Sequence, residues 1–78
     1  MNKPELFDVI ELLTDIPEFS LRKGEQGAIL DDYEDGFFEI EFTNKKGETT
    51  ALFSIPKDKF TVVWSSQTEQ WLTSIATL

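Results

Sequence analysis

The clearest pattern in the chain is a strict alternation of apolar and acidic residues near its centre. In an extended segment, the apolar residues Phe38, Ile40 and Phe42 would share one face, and Glu39 and Glu41 would share the opposite face. This alternation is typical of a strand with one face in the core and the other toward solvent. An Asp-Gly pair at 35–36 separates it from an apolar run at 27–33, so the pattern predicts a β-hairpin with a tight type I′ turn.

Further strand-like segments flank this hairpin on both sides, at residues 6–13, 48–55 and 60–64. In the first of them Asp8 and Glu11 do not fit one clean alternation, which leaves a bulge or a helical turn as alternatives to a regular strand. A long loop that carries its own apolar side chains follows the first segment, and a short break at 56–59, typical of one 3₁₀ turn, precedes the last. The connections are too short for crossover helices, so a parallel sheet is excluded. The fold class predicted for residues 1–64 is therefore mainly β: a five-stranded antiparallel SH3-like barrel.

Residues 65–78 form a tail with a different pattern. Ser66 and Glu69 fit a helix capping box. Four large apolar residues then follow at the spacing of one helical face: Trp71, Leu72, Ile75 and Leu78. The pattern predicts a short amphipathic C-terminal helix, although alternation within the tail also fits a strand. We expect its apolar face to cover the barrel, with a homodimer through the tail as the alternative.

The charge balance and the missing residue types restrict the chemistry. Fifteen acidic and seven basic residues give a formal net charge of −8, and the chain contains neither histidine nor cysteine. Thiolate metal sites, disulfides and histidine bases are therefore excluded. A surface this negative repels phosphate backbones and anionic lipids. Because the chain also lacks a signal-peptide pattern and any apolar run near the roughly 20 residues of a membrane helix, we expect a cytoplasmic protein without membrane contact.

Neither acidic group predicts a metal site or catalysis. The run at 31–36 fails the EF-hand pattern, because its third position is Tyr33 and its twelfth is Phe42. Glu39 and Glu41 lie two residues apart on one face, but a general acid needs an enclosed apolar pocket that raises its pKa. The interior of a small barrel is filled by side chains. We therefore expect no enzyme activity, no catalytic residues, no metal and no cofactor.

Several segments in fixed order resemble the small bacterial proteins catalogued as domain of unknown function 4926. The segments are 7–13, 15–18, 21–30, 38–42 and 47–55, and the resemblance covers about residues 6–64. It implies an SH3-like barrel without an assigned activity, and it carries over no functional residues. Residues 23–29 also resemble the Lys-Gly-x-x-Gly-x-Val core of nucleic-acid-associated KOW modules, although glycines at such positions are equally explained by turn geometry.

These observations favour a protein-interaction module that binds a basic protein partner. The residues predicted to contact the partner are the hairpin and strand carboxylates and the start of the tail: Asp31, Asp32, Glu34, Asp35, Glu39, Glu41, Trp71, Leu72 and Ile75. An antitoxin-like or immunity-like inhibitor fits the same physics. The alternative is a KOW-like nucleic-acid module, for which Arg22, Lys23, Lys45 and Lys46 would supply the basic patch.

Overall fold

A computed structural model describes residues 3–72, which form one antiparallel sheet of six strands. The strands are β1 (Val9–Leu12), β2 (Gln26–Asp32), β3 (Phe37–Thr43), β4 (Thr49–Pro56), β5 (Phe60–Ser65) and β6 (Gln70–Trp71). Two 3₁₀ turns, Pro17–Phe19 and Lys57–Lys59, lie in the β1–β2 and β4–β5 connections. The order across the sheet is β4-β3-β2-β1-β5-β6.

The prediction of a mainly β, antiparallel fold is confirmed, but the prediction of a closed five-stranded barrel is wrong. A barrel closes only when its two outermost strands pair with each other. Here β4 has β3 as its only neighbour in the sheet order of the described residues, and β6 has only β5. The sheet is therefore open, with β4 along one edge and β6 along the other.

The predicted C-terminal helix is also wrong for the described part of the tail, which turns back and forms β6. Trp71 pairs with Trp64, and their rings meet edge to face at 6.5 Å between centroids. The capping box fails because the Ser66 hydroxyl donates toward the Leu6 carbonyl at 2.8 Å, while Glu69 takes a positive φ of 56°. Ile75 and Leu78 lie outside the described residues.

The core lies on the inner face of the sheet and holds alternate residues of the strands. Its buried apolar members are Ile10, Leu12, Leu21, Ile29, Phe38, Ile40, Phe42, Ala51, Ile55 and Phe60. Phe38 on β3 packs edge-on against Phe60 on β5 at 5.6 Å, although β2 and β1 separate these strands in the sheet. Such a contact requires a strongly bent sheet. The β1–β2 loop covers part of the inner face, where Phe19 stacks on Phe53 at 3.9 Å.

The β2–β3 hairpin has a longer turn than the predicted two-residue type. Tyr33 donates its N–H to the Phe37 carbonyl at 3.1 Å, which leaves three residues between the paired ends. Glu34 and Gly36 both have positive φ, at 63° and 93°. Two aspartates stabilise this loop through their carboxylates: Asp32 accepts from the Glu34 N–H at 2.8 Å, and Asp35 accepts from the Phe37 N–H at 3.1 Å.

Within residues 3–72, no helix combines the length and the apolar character required to cross a lipid bilayer.

Candidate protein-docking face

The outer face of the sheet, opposite the core, carries a continuous line of six side chains, one from each strand. The pairing registers place Leu52, Glu41, Ala28, Val9, Trp64 and Trp71 in this cross-strand row. Directly paired residues project from the same face of a sheet. Five of these six side chains are apolar, and the two at the ends are the most exposed, Leu52 at 49 % and Trp71 at 61 %.

A bulge in β5 explains why Trp64 belongs to this row. Simple alternation from Phe60 and Val62 would direct Trp64 into the core. In the pairing with β1, however, Ile10 lies opposite Val62 and Val9 lies opposite Trp64, so Val63 is an extra residue. An extra residue reverses the alternation beyond it. Trp64 is therefore half-buried on the outer face, and no local pattern in the sequence identifies this change.

Two half-buried carboxylates, Glu39 and Glu41, occupy the same face on β3 and are held by neighbouring hydroxyl groups. Tyr33 donates its hydroxyl to Glu39, and Thr49 donates its hydroxyl to Glu41. The hydrogen bond to Glu39, with smaller contributions from burial and from the charges of Glu39 and Asp31, raises the pKa of Tyr33 to about 12. Tyr33 is protonated at neutral pH, as any ordinary tyrosine is, and its hydroxyl orients the Glu39 carboxylate through this hydrogen bond.

None of the basic residues lies on a strand of the described chain. All seven occupy loops, turns or the segment before β1: Lys3, Arg22, Lys23, Lys45, Lys46, Lys57 and Lys59. The strands themselves carry Glu11, Asp31, Asp32, Glu39 and Glu41. Among residues 3–72, the single ion pair joins Lys3 to Asp32 at 3.9 Å. The sheet therefore presents carboxylates that no cation on the sheet balances.

The structure divides the predicted contact residues into separate groups. Asp31 lies opposite Glu39 in the β2–β3 pairing and thus adjoins the carboxylates of the outer face. Asp32 and Asp35 bind backbone N–H groups of the hairpin loop, and Glu34 is exposed at its tip. At the opposite edge, Trp71 ends the cross-strand row, and Leu72 donates its N–H to the Val63 carbonyl at 2.8 Å. The predicted contact at Ile75 falls outside the described residues.

Sequence reasoning missed three apolar side chains that the structure leaves at least one-third exposed: Phe7, Leu30 and Leu52. Leu52 belongs to the cross-strand row. The Phe7 N–H donates to the Ile29 carbonyl at 2.7 Å, so the backbone of Phe7 adjoins β2. Leu30 is an extra residue in the β2–β3 pairing, because Ile29 pairs with Ile40 and Asp31 with Glu39. A periodicity argument assigns such residues to the core or to a loop, because it assumes unbroken strands.

Both glycines of the KOW-like segment have a structural reason to be glycine. Gly24 has a φ of +95°, which glycine adopts without steric cost. A Cβ at Gly27 would lie 2.8 Å from the Glu41 carbonyl oxygen, so β2 and β3 approach too closely for a side chain. Turn geometry and strand packing therefore account for the pattern.

The four residues of the predicted basic patch lie at one end of the sheet, because β2 begins where β3 ends. Arg22 and Lys23 precede β2, and Lys45 and Lys46 follow β3. Acidic residues share this end. Glu25 accepts a hydrogen bond from the Arg22 backbone N–H at 2.9 Å, and Glu48 lies in the same turn as the two lysines. The local charge is therefore mixed.

The buried carboxylate of Asp8 is a structural group. It is 3 % exposed and accepts hydrogen bonds from the Ser66 N–H at 2.7 Å, the Ser66 hydroxyl at 2.9 Å and the Glu5 N–H at 2.9 Å. These bonds join the segment before β1 to the β5–β6 turn. Within residues 3–72, no three histidine, cysteine, aspartate or glutamate side chains are grouped so as to hold a metal ion.

Comparison with known families identifies the chain more closely. The sequence model of the family described as "Domain of unknown function (DUF4926)" matches residues 6–62. The chain belongs to this family. The DUF4926 match includes β1 to β4 and the first half of β5, whereas Trp64 and β6 lie beyond it. Comparisons with curated proteins and with solved structures gave no match.

Proposed function

We propose that this DUF4926 chain is a protein-interaction module whose outer sheet face binds a basic protein partner. One observation carries the proposal: the face combines a mainly apolar cross-strand row, half-buried in its middle and exposed at both ends, with carboxylates that no basic residue of the strands balances. Contiguous apolar surface on a small domain marks an interaction site. Protein interfaces combine an aromatic centre with charges complementary to those of the partner.

The size of the face supports binding a folded protein or a long peptide. The described chain measures 35 × 28 × 23 Å along its principal axes. A stable protein–protein interface covers about 800 Å² on each partner. The broad side of this molecule has room for such an interface, and the cross-strand row runs over all six strands. Trp64 and Trp71 lie at one end of the row and supply the residue type that most often dominates binding energy.

The carboxylates determine which partner fits. Glu39 and Glu41 are already oriented by hydroxyl donors, so a cationic partner binds them with little reorganisation. The net charge of −8 adds long-range attraction for a basic surface. An antitoxin-like or immunity-like inhibitor, which covers the surface of a basic target, is one form of this proposal.

Selection of peptides from a random twelve-residue phage library on the immobilised chain tests the proposal. We expect enriched peptides that combine lysine or arginine with aromatic or aliphatic residues, and affinity that falls as salt rises. Glu39→Gln combined with Glu41→Gln should weaken binding at least tenfold. The matched control, Glu18→Gln with Asp58→Asn, removes two carboxylates from the 3₁₀ turns and should change affinity less than twofold.

Three results would contradict the proposal. Equal losses in the two double variants would show that net charge alone attracts the peptide. Selection of acidic or uncharged peptides would exclude the electrostatic complementarity. A solution mass of twice the 9.0 kDa chain, with the face protected in the dimer, would assign the face to a second copy instead.

Nucleic-acid binding at the basic end is the second candidate, because the topology brings Arg22, Lys23, Lys45 and Lys46 to one end of the sheet. Its test is a gel-shift titration with single-stranded and double-stranded DNA and RNA at low salt. Binding that falls steeply with salt, and that is lost when Lys45 and Lys46 become glutamine, would favour it. The absence of any shift at low salt would exclude it.

A further inference from the structure

We propose that Phe7, which is exposed just before β1 and hydrogen-bonded to β2 through its backbone, is the anchor residue for the same partner protein and inserts into an apolar pocket, rimmed by lysine or arginine, on it. The inference rests on the proposed function and names the residue on which binding depends. It starts from the backbone of Phe7, which has a φ of +70°. For a bulky residue this left-handed conformation is a genuine outlier.

The hydrogen bonds around Phe7 define a β-bulge. The Phe7 N–H donates to the Ile29 carbonyl at 2.7 Å, and the Ile29 N–H donates to the Asp8 carbonyl at 3.0 Å. Two residues of the segment that leads into β1, Phe7 and Asp8, therefore oppose the single residue Ile29. In this type of bulge the first position is left-handed and is normally glycine. Phenylalanine is one of the least suitable residues for that position.

The fold gains little from a phenylalanine here. The side chain is 62 % exposed, the largest exposure among the large apolar residues of the described chain. Other phenylalanines and both tryptophans form aromatic pairs, and none of the pairs within residues 3–72 includes Phe7. Glycine or asparagine would satisfy the backbone at lower cost. Strained residues that the surrounding structure holds in place cluster at sites of ligand contact.

The surrounding hydrogen bonds make Phe7 a rigid anchor. Asp8 is buried and binds the Ser66 N–H at 2.7 Å, and the Leu6 carbonyl accepts from the Ser66 hydroxyl at 2.8 Å. Both chain neighbours of Phe7 are therefore fixed to the β5–β6 turn. Because the backbone of Phe7 is held before binding, less conformational entropy is lost when its ring enters a pocket.

The charges beside Phe7 specify the rim of the partner's pocket. Leu30, exposed on β2 next to the Ile29 carbonyl that binds Phe7, is followed by Asp31, and Asp31 pairs with Glu39. No lysine or arginine lies on β1 or β2. The charged side chains of β1 and β2 are therefore all carboxylates, of which Asp32 is paired with Lys3. Lysine or arginine around the complementary pocket would pair with the others.

The variants Phe7→Asn and Phe19→Ala test the anchor with one peptide selected as described above. Phe19 is the matched control, because it is another exposed phenylalanine, 45 % accessible, its φ is not positive, and it lies in the loop that covers the inner side of the sheet. We expect Phe7→Asn to weaken peptide binding at least tenfold, and its urea midpoint to stay at or above that of the wild type because asparagine tolerates the left-handed conformation. Phe19→Ala should change affinity less than threefold.

Each outcome of this comparison decides between the two proposals. If the Glu39/Glu41 double variant loses affinity but Phe7→Asn behaves like Phe19→Ala, the docking face stands and the anchor is refuted. If Phe7→Asn alone loses affinity, the anchor stands and the electrostatic part of the docking proposal is refuted. If the wild type selects no peptide, both are refuted. A urea midpoint for Phe7→Asn that falls as far as that of Phe42→Ala, a core variant, would show that Phe7 serves folding and would also overturn the anchor.

Discussion

Replacement of Asp8 by alanine removes the only buried charged side chain among residues 3–72. Its carboxylate accepts from the backbone N–H groups of Glu5 and Ser66 at 2.9 and 2.7 Å, and from the Ser66 hydroxyl at 2.9 Å. The hydroxyl has an alternative acceptor in the Leu6 carbonyl at 2.8 Å. The two backbone N–H groups have no other protein acceptor among the hydrogen bonds of the described chain. The loss of their two hydrogen bonds to Asp8 therefore determines the cost of the substitution.

The expected loss of stability is a large share of the total. Hydrogen bonds to a charged acceptor contribute about 1.5–3 kcal/mol each, and both of these are only partly buried, so water recovers part of the loss. We expect Asp8→Ala to lower the free energy of unfolding by about 2–4 kcal/mol. A domain of 78 residues has a total of only about 4–12 kcal/mol.

Urea unfolding followed by tryptophan fluorescence measures this loss, because Trp64 and Trp71 report on the β5–β6 region that Asp8 joins to the N-terminal segment. The denaturant slope should remain unchanged. Ser66→Ala is the matched control, since it removes the hydroxyl but keeps the backbone donor, and it should cost about 0.5–1.5 kcal/mol. If Asp8→Ala costs no more than Ser66→Ala, the backbone bonds to the carboxylate do not hold the two segments together, and the reasoning is wrong.

Two further predictions concern the outer face and the β2–β3 pairing. The single tyrosine of the chain allows Tyr33 to be titrated by ultraviolet absorbance. In the folded protein its midpoint should lie near 12, and Glu39→Gln should lower it toward the ordinary value of about 10 while Glu41→Gln leaves it unchanged. Because the pKa of Tyr33 is raised in the folded state, this hydrogen bond stabilises the fold fully below pH 10, and the stabilisation is lost as the pH rises toward 12. A Tyr33 titration midpoint that stays near 10 in the folded protein would refute the contact. Gly27→Ala should destabilise the protein by about 1–3 kcal/mol in the same urea assay, because its Cβ would meet a backbone oxygen at 2.8 Å. Gly36 has open space around it but a φ of +93°, so Gly36→Ala should cost about 1–2 kcal/mol through backbone strain alone. If Gly27→Ala is as stable as the wild type, β2 and β3 can separate without cost and the reasoning is wrong.

Local patterns were enough to predict the elements that follow simple alternation. The strand at the centre of the chain has its three apolar residues buried and its two glutamates on the opposite face, as the period of two requires. The β2–β3 hairpin, the adjacent strand β4 and the 3₁₀ turn before β5 lie where turn residues and short apolar runs indicated. The resemblance to the family could also be recognised from the sequence, because the family match at residues 6–62 covers these regular segments.

The candidate site was predicted only in part. Glu39 and Glu41 follow from alternation alone, and they lie on the face that the structure leaves without cations. The outward position of Trp64 could not be predicted, because it depends on a bulge in β5 that no local pattern marks. The broken alternation at residues 6–13 allowed for a bulge but did not place it at Phe7. A bulge adds one residue to one strand, and that single residue transfers every later side chain to the other face.

The amino-acid sequence by itself determined the class of the fold, the inner face of the central strands and the acidity of the surface, because these depend on residue type and on neighbours a few positions away. Tertiary structure decided that the sheet stays open, that residues 70–71 pair with β5 instead of forming a helix, and that a mainly apolar row crosses the outer face. Those features depend on which strands pair and where the register slips. Such pairings join residues as far apart as Val9 and Trp64, and hydrophobic periodicity carries no information about contacts across that separation.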